Sequence, residues 1–212
     1  MDTILIFEFI GTVAFAISGA MVGIEKRMDI FGVSIMSMTT AVGGGIIRDL
    51  ILGSTPPAAF RDPIFAATGL LVGLLVFLPS VRHLFQKNQR LYEHLMLWMD
   101  SIGLGLFSVI GVQAAYSAAV DANLFLMVFV GVMTGVGGGV LRDMFAGNTP
   151  YIFVKHFYAC AAIVGAFTAA VLWKHTTLAM PIGALAVIAL RLLAAYRRWS
   201  LPRAEPEQTH KP

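Results

Sequence analysis

The residues best able to do chemistry fall in two copies of one pattern. Gly43-Gly44-Gly45-Ile46-Ile47-Arg48-Asp49 recurs as Gly137-Gly138-Gly139-Val140-Leu141-Arg142-Asp143. Each copy sets three glycines, then an arginine and an aspartate, inside an otherwise apolar stretch. A glycine concedes about 0.8–1 kcal/mol of helix preference against alanine, so a triplet concedes about 2–3 kcal/mol. In a membrane a helix break survives only where protein or a water-filled cavity satisfies the freed carbonyls, and such carbonyls can replace part of a cation's hydration shell. On that reading Gly43, Gly44, Gly45, Gly137, Gly138 and Gly139 are helix breaks beside a midplane pathway. The other reading is close helix contact, which the small-residue pairs Gly19/Gly23, Gly69/Gly73 and Gly131/Gly135 also suggest.

Arg48, Asp49, Arg142 and Asp143 cost at least about 2.5–3.5 kcal/mol each at the centre of a membrane span, so each must face protein or water and find a partner. Arg48 lies three residues beyond Gly45 and therefore over the same helix face. The four ions either flank a polar pathway, one cation–carboxylate group on each side, or form structural salt bridges that lock two halves together. Adjacent Arg and Asp do not share a helix face, so each is expected to pair elsewhere. Glu8 and Asp100 occupy matching places in two other apolar stretches; each is a vestibule charge or an end-of-helix carboxylate, Asp100 being the deeper. Ser34, Ser37, Thr39 and Thr40 precede the first triplet and Thr134 the second; these hydroxyls line a pathway or bond back to helix carbonyls. Arg61, Lys155 and Arg191 are expected to snorkel towards the interface.

The elements that position these residues follow from composition. Of 212 residues 58% are hydrophobic and 13% charged, with mean hydropathy +0.79, whereas a soluble domain carries about 25% charged residues. The chain is an integral membrane protein. Seven apolar stretches, residues 4–24, 30–52, 64–79, 95–116, 123–145, 152–173 and 178–196, approach the length of about 17–25 residues that a spanning helix needs. The third is the shortest. Asp2 and the missing basic flank argue against a cleaved signal peptide for the first. The single cysteine, Cys160, allows no intrachain disulfide and no cysteine metal site. Net charge is +3, but the basic residues sit at span ends and in the tail, where they set topology, so nucleic acid is not an expected partner.

The motif is one part of a longer repeat. Moving from 43 to 137, an offset of 94, also carries Gly53, Thr55 and Pro56 onto Gly147, Thr149 and Pro150; an offset of 92 carries Gly11, Phe15 and Gly19 onto Gly103, Phe107 and Gly111. Each copy holds three spans. Because three is odd, consecutive copies insert with opposite orientation, an arrangement typical of permeation proteins whose sites lie at the repeat interface. The expected organisation is a first three-helix repeat over 1–79, a cytoplasmic connection over 80–94, an inverted second repeat over 95–173, a seventh transmembrane helix over 174–196 and a disordered cytoplasmic tail over 197–212. Lys26, Arg27, Arg82, Lys87, Arg90, Arg197 and Arg198 share one side, which places the N-terminus outside and the C-terminus in the cytoplasm.

Catalytic constellations are absent: the five histidines show no paired-ligand spacing, and no P-loop or Gly-x-Ser-x-Gly pattern occurs. The expectation is an all-α, seven-helix membrane protein that is not an enzyme, with no cofactor and no metal site. The doubled segments GGGIIRDLILGSTP and GGGVLRDMFAGNTP, in a seven-span chain of this length, resemble prokaryotic members of the trimeric intracellular cation (TRIC) channel family, also described as a glycine transporter domain family. The resemblance spans residues 1–196. It implies a homotrimer in membrane lipid with an hourglass pore in each protomer, passing K+ and secondarily Na+, kinked at Gly43–Gly45 and Gly137–Gly139, with Arg48, Asp49, Arg142 and Asp143 near the pathway. The Lys-Glu-Val signature of animal members is not present, so their ligand and lipid regulation is not expected to carry over. The alternative function is secondary transport of a small solute such as glycine. The host membrane implied is a prokaryotic plasma membrane.

Overall fold

The computed structural model describes residues 3–118, 122–154 and 157–199. Lys155, His156, Ser200 and the rest of the tail lie outside the described residues, so the expectations for Lys155 and the tail have no structural counterpart. Among the described residues the chain is helical throughout, as α1 (Thr3–Glu25), α2 (Ile30–Ile51), α3 (Ala58–Arg61), α4 (Ile64–Phe77), α5 (Pro79–Lys87), α6 (Gln89–Ala118), α7 (Leu124–Phe145), α8 (Tyr151–Val154), α9 (Tyr158–Val171) and α10 (Thr176–Tyr196), with one 3₁₀ turn before α10. Five of these, α1, α2, α6, α7 and α10, are long and apolar enough to cross a membrane. The other two apolar helices, α4 and α9, have 14 residues each, about 21 Å at 1.5 Å per residue.

The offset of 94 holds at the level of capped elements. Asp29 accepts a hydrogen bond from Gly32 N at 2.7 Å to start α2, and Asn123 accepts one from Leu126 N at 2.9 Å to start α7, each satisfying an orphan donor of the first turn. Both helices run 22 residues. Both end on a left-handed glycine, Gly53 (φ 69°) and Gly147 (φ 67°), and both close with a 2.8 Å backbone bond, Ser54 N to Asp49 O and Asn148 N to Asp143 O, the Schellman geometry that only glycine enters without strain. Shifted by 94, the bounds of α4 coincide with those of α9.

Several expected boundaries move. The sixth apolar stretch begins its long helix at Tyr158 rather than 152, because Phe157 takes φ 50° and separates α9 from α8. Residues 80–94 are helical apart from Asn88, occupied by α5 and by the first turns of the 30-residue α6.

The glycine triplets do not break their helices. α2 and α7 continue as α-helix through both, and the glycines are instead where the two helices meet. A Cβ on Gly44 would stand 2.1 Å from Thr134 O, and one on Gly138 would stand 2.3 Å from Thr40 O. Thr40 and Thr134 are themselves 94 residues apart, so each triplet receives the turn preceding the other. A second reciprocal contact lies between α1 and α6. Phe15 and Phe107 stack with centroids 5.4 Å apart, Phe15 filling the notch at Gly103 and Phe107 the notch at Gly11. The scattered small pairs serve the same purpose: Gly19 sits against Met36 O and Thr40, Gly69 and Gly73 against the α2 backbone at Met38 and Ser34, and Gly131 and Gly135 against carbonyls of Ser108 and Leu104. Ser37 closes the same region, its hydroxyl lying 2.9 Å from Ala16 O and 2.7 Å from Gly69 O.

The three glycines of a triplet are thereby unequal. Gly45 faces only Arg48 Nη2, at 3.8 Å from its would-be Cβ. Gly44→Ala and Gly138→Ala should each destabilise the protein by about 1–3 kcal/mol through overpacking, whereas Gly45→Ala should be neutral or stabilise through helix propensity by up to about 1 kcal/mol. Thermal unfolding in detergent measures the order; a Gly45→Ala variant as damaged as Gly44→Ala would contradict it.

Candidate functional site: two charged clusters either side of an aromatic pair

Both Arg-Asp pairs bond within themselves, against the expectation that adjacent residues pair elsewhere. Arg48 Nε lies 2.8 Å from Asp49 Oδ1 and Arg142 Nε 2.9 Å from Asp143 Oδ1. At the end of a helix the arginine can fold its Nε back along the axis, and the aspartate meets it with one oxygen. The second aspartate oxygen then accepts from the returning chain: Asp49 Oδ2 from Ala58 N at 2.7 Å, and Asp143 Oδ2 from Tyr151 N at 2.9 Å. Each aspartate thus staples the last turns of its own helix to the start of the next short helix, α3 or α8. Arg61 folds onto the same loop, with Nε donating to Pro56 O at 2.7 Å and Nη2 to Ser54 Oγ at 2.8 Å, and Thr55-Pro56 is cis.

The two arginines otherwise differ. Arg142 is completely buried. Its Nη1 donates to Asp100 Oδ1 at 2.7 Å and to Ser18 Oγ, and its guanidinium lies 4.9 Å from the centre of the Tyr151 ring. It therefore ties α7 to α6 and α1. Arg191 of α10 joins this cluster: its Nη2 stands 3.7 Å from Asp100 Oδ2 and its guanidinium 4.8 Å over the Tyr158 ring. The snorkelling expected of Arg191 is not observed; it is 3% exposed, because the buried carboxylate of Asp100 offers a better partner than the interface. Tyr158 OH lies 3.5 Å from Asp100 Oδ1. Asp100 is thus the deep carboxylate that the sequence suggested, but paired.

Arg48 keeps a partly exposed side chain and lines a pocket of about 220 Å³ with Glu8, Thr12, Gly45, Asp49, Asp62 and Phe107 among its walls. A second pocket of about 210 Å³ lies at the Asp100 cluster, bounded by Tyr92, Glu93, Met96, Tyr151 and Arg191. Along α1 the order is Glu8 and Thr12 at the first pocket, Phe15 in the aromatic stack, and Ser18 at Arg142. Along α6 it runs Asp100, Gly103, Phe107. The Phe15–Phe107 pair and the α2–α7 crossing therefore stand between the two charged pockets. Thr40 and Thr134 are at that crossing, fully buried, with hydroxyls bonded back to Met36 O and Val130 O at 2.6 Å each.

Sequence reasoning brought Asp100, Arg142 and Asp143 to notice but not that they meet, and it missed Ser18, Tyr151, Tyr158 and Arg191 as cluster members. One signal was available: Phe15 and Phe107 are repeat counterparts, and residues close to a two-fold axis contact their own counterparts.

Removing one partner from a buried ion cluster strands the others at a cost of about 3–5 kcal/mol. Arg142→Gln should lower stability by that amount, and Arg48→Gln by less than half as much, because only Asp49 loses a partner and the pocket admits water. Chemical denaturation in detergent would measure the difference; equal losses would mean that the two motifs are energetically equivalent.

Residues 5–80 and 97–174 match the sequence model of a family described as Glycine transporter. A UPF0126 membrane protein of Deinococcus radiodurans is 39% identical over 196 residues, covering 91% of this chain and 87% of the relative, and the inner membrane protein YadS of Escherichia coli is 34% identical over 92% of this chain and 91% of its own. A structure solved to explain conductance through TRIC cation channels superposes with a TM-score of 0.83 at 37% identity over 98% of this chain and 100% of that one. The TRIC orthologue from Rhodobacter sphaeroides does so with 0.85 at 31% identity, over 93% and 100%. The chain is a membrane protein of the prokaryotic TRIC family, the family to which the Glycine transporter sequence model also belongs.

Proposed function

We propose that this chain is a passive cation channel, permeable to K+ and secondarily to Na+, with its pathway inside each protomer between the 1–79 and 95–173 repeats. The observation that carries the reading is the pair of charged pockets separated by one constriction. The first pocket sets three carboxylates, Glu8, Asp49 and Asp62, against the single guanidinium of Arg48. Such a mouth concentrates cations and repels anions. The structure then represents a closed form, with Phe15 and Phe107 as the apolar seal and the Arg142–Asp100 pair behind it.

Seven spans complete this reading. α4 and α9 are short, and α3 and α8, stapled beneath them by Asp49 and Asp143, fill out the membrane's thickness at either end. Two repeats of three spans in opposite orientation support the reciprocal α2–α7 and α1–α6 contacts, since an in-plane two-fold exchanges Gly44 with Gly138 and Phe15 with Phe107. The basic residues put the N-terminus outside and the C-terminus in the cytoplasm, in a prokaryotic plasma membrane. Solved relatives named as trimeric channels support a homotrimer, and the exposed apolar side chains of Phe31, Phe125 and Leu185 suit lipid and neighbouring protomers. Secondary transport of glycine is disfavoured by the same charges: a carboxylate entering the first pocket would meet Glu8, Asp49 and Asp62 against the single guanidinium of Arg48.

Proteoliposomes loaded with K+ should release it without saturation, and Phe15→Ala or Phe107→Ala should increase the flux severalfold. Glycine uptake that saturates, with no K+ release, would reject the channel. Glu8→Gln combined with Asp62→Asn should lower single-channel current at about 0.01 M salt, where the screening length is about 30 Å, and have little effect at 1 M, where it is about 3 Å. Current loss independent of salt would mean that these carboxylates do not act by concentrating cations.

A further inference from the structure

A third cavity lies away from both clusters, where α1 ends, α2 begins and α4 gives way to α5. It holds about 180 Å³ and is lined by Ile24, Arg27, Met28, Phe77 and Arg82. Its chemistry is cationic and uncompensated. Among the described residues neither Arg27 nor Arg82 forms an ion pair, and the carboxylates closest to Arg27 in sequence are spoken for: Glu25 accepts from Tyr92 OH at 2.5 Å, and Asp29 caps α2 through Gly32 N. Arg82 is held in place by its own environment, its guanidinium 5.1 Å from the centre of the Phe77 ring and its Nε buried without a hydrogen-bond acceptor. Arg27 is held at φ 58°, a left-handed conformation unfavourable for a side chain of this size, which fixes the backbone from which it reaches the cavity.

The surroundings indicate the source of the missing anion. α4, which ends at the cavity with Phe77, exposes Leu71, Leu74 and Leu75 on its outer face, and its 14 residues fall short of a hydrocarbon core about 30 Å thick. A lipid beside α4 would lay its chains on those leucines and bring its headgroup to the level of the arginines. Basic pockets between helices on the cytoplasmic side are suited to anionic headgroups.

We propose that Arg27 and Arg82 bind the phosphate of an anionic phospholipid, the acyl chains lying along α4. The site is separate from the permeation pathway and does not depend on the channel reading.

Native mass spectrometry of the full chain in detergent, titrated with phosphatidylglycerol, phosphatidylcholine or inorganic phosphate, tests it. Phosphatidylglycerol should bind more tightly than phosphatidylcholine. Arg82→Gln and Arg27→Gly should each weaken it about fivefold, and the pair about thirtyfold, while Lys87→Gln leaves it unchanged. Arg27→Gly also relieves the left-handed backbone, so this variant keeps the fold and separates lost charge from misfolding. Equal affinity for the two lipids, or phosphatidylglycerol binding unaffected by Arg27→Gly and Arg82→Gln, would overturn the site. Inorganic phosphate binding as tightly as phosphatidylglycerol would overturn its assignment to a lipid.

Discussion

Two backbones in direct contact set the architecture. At Gly44 and Gly138 the helices α2 and α7 approach so closely that a single added carbon on either would overlap a carbonyl of the other. In lipid no hydrophobic effect drives helices together, so association rests on close van der Waals contact between small residues. The crossing needs glycine on both sides at once, and the repeat supplies it because one sequence pattern, read twice, presents the same groove to its own copy. The Phe15–Phe107 stack extends this logic outward: each ring fills the space left by a glycine of the opposite repeat.

The charged clusters depend on that crossing. α2 and α7 reach Arg48 and Arg142 within one turn of the last glycine, so the position of each guanidinium is set by where the helices touch. The same few residues bear different loads at the two ends. Arg142 meets Asp100, Asp143, Ser18 and the Tyr151 ring and is sealed; Arg48 meets Asp49 and a pocket. The difference lies in the partners, since the counterpart of Asp100 is Glu8, whose side chain borders the pocket instead of closing on Arg48. A buried ion pair of this kind contributes less to net stability than its Coulomb energy suggests, but it fixes which helices must be neighbours.

Much of the fold was legible in the residues. Composition identified the solvent as lipid, apolar runs located the five long helices, and the offset of 94 anticipated elements that share caps, lengths and terminal glycines. What spacing along one helix cannot give is what stands opposite. The triplets were open to two readings, break or contact, and only the facing carbonyls of Thr40 and Thr134 decide for contact. Arg191 was expected to reach for the interface because its own segment offers no counterion; Asp100, on another helix, does. The intra-motif Arg-Asp bonds were missed because helical-wheel geometry ignores the freedom of a long side chain in the last turn.

The reading of a closed cation pathway stands or falls on the charge carried across a bilayer. Purified protein in a planar bilayer under a KCl gradient should give discrete current steps that reverse near the K+ equilibrium potential. Current reversing near the chloride potential, or a silent bilayer formed from protein that exchanges glycine in liposomes, would contradict it.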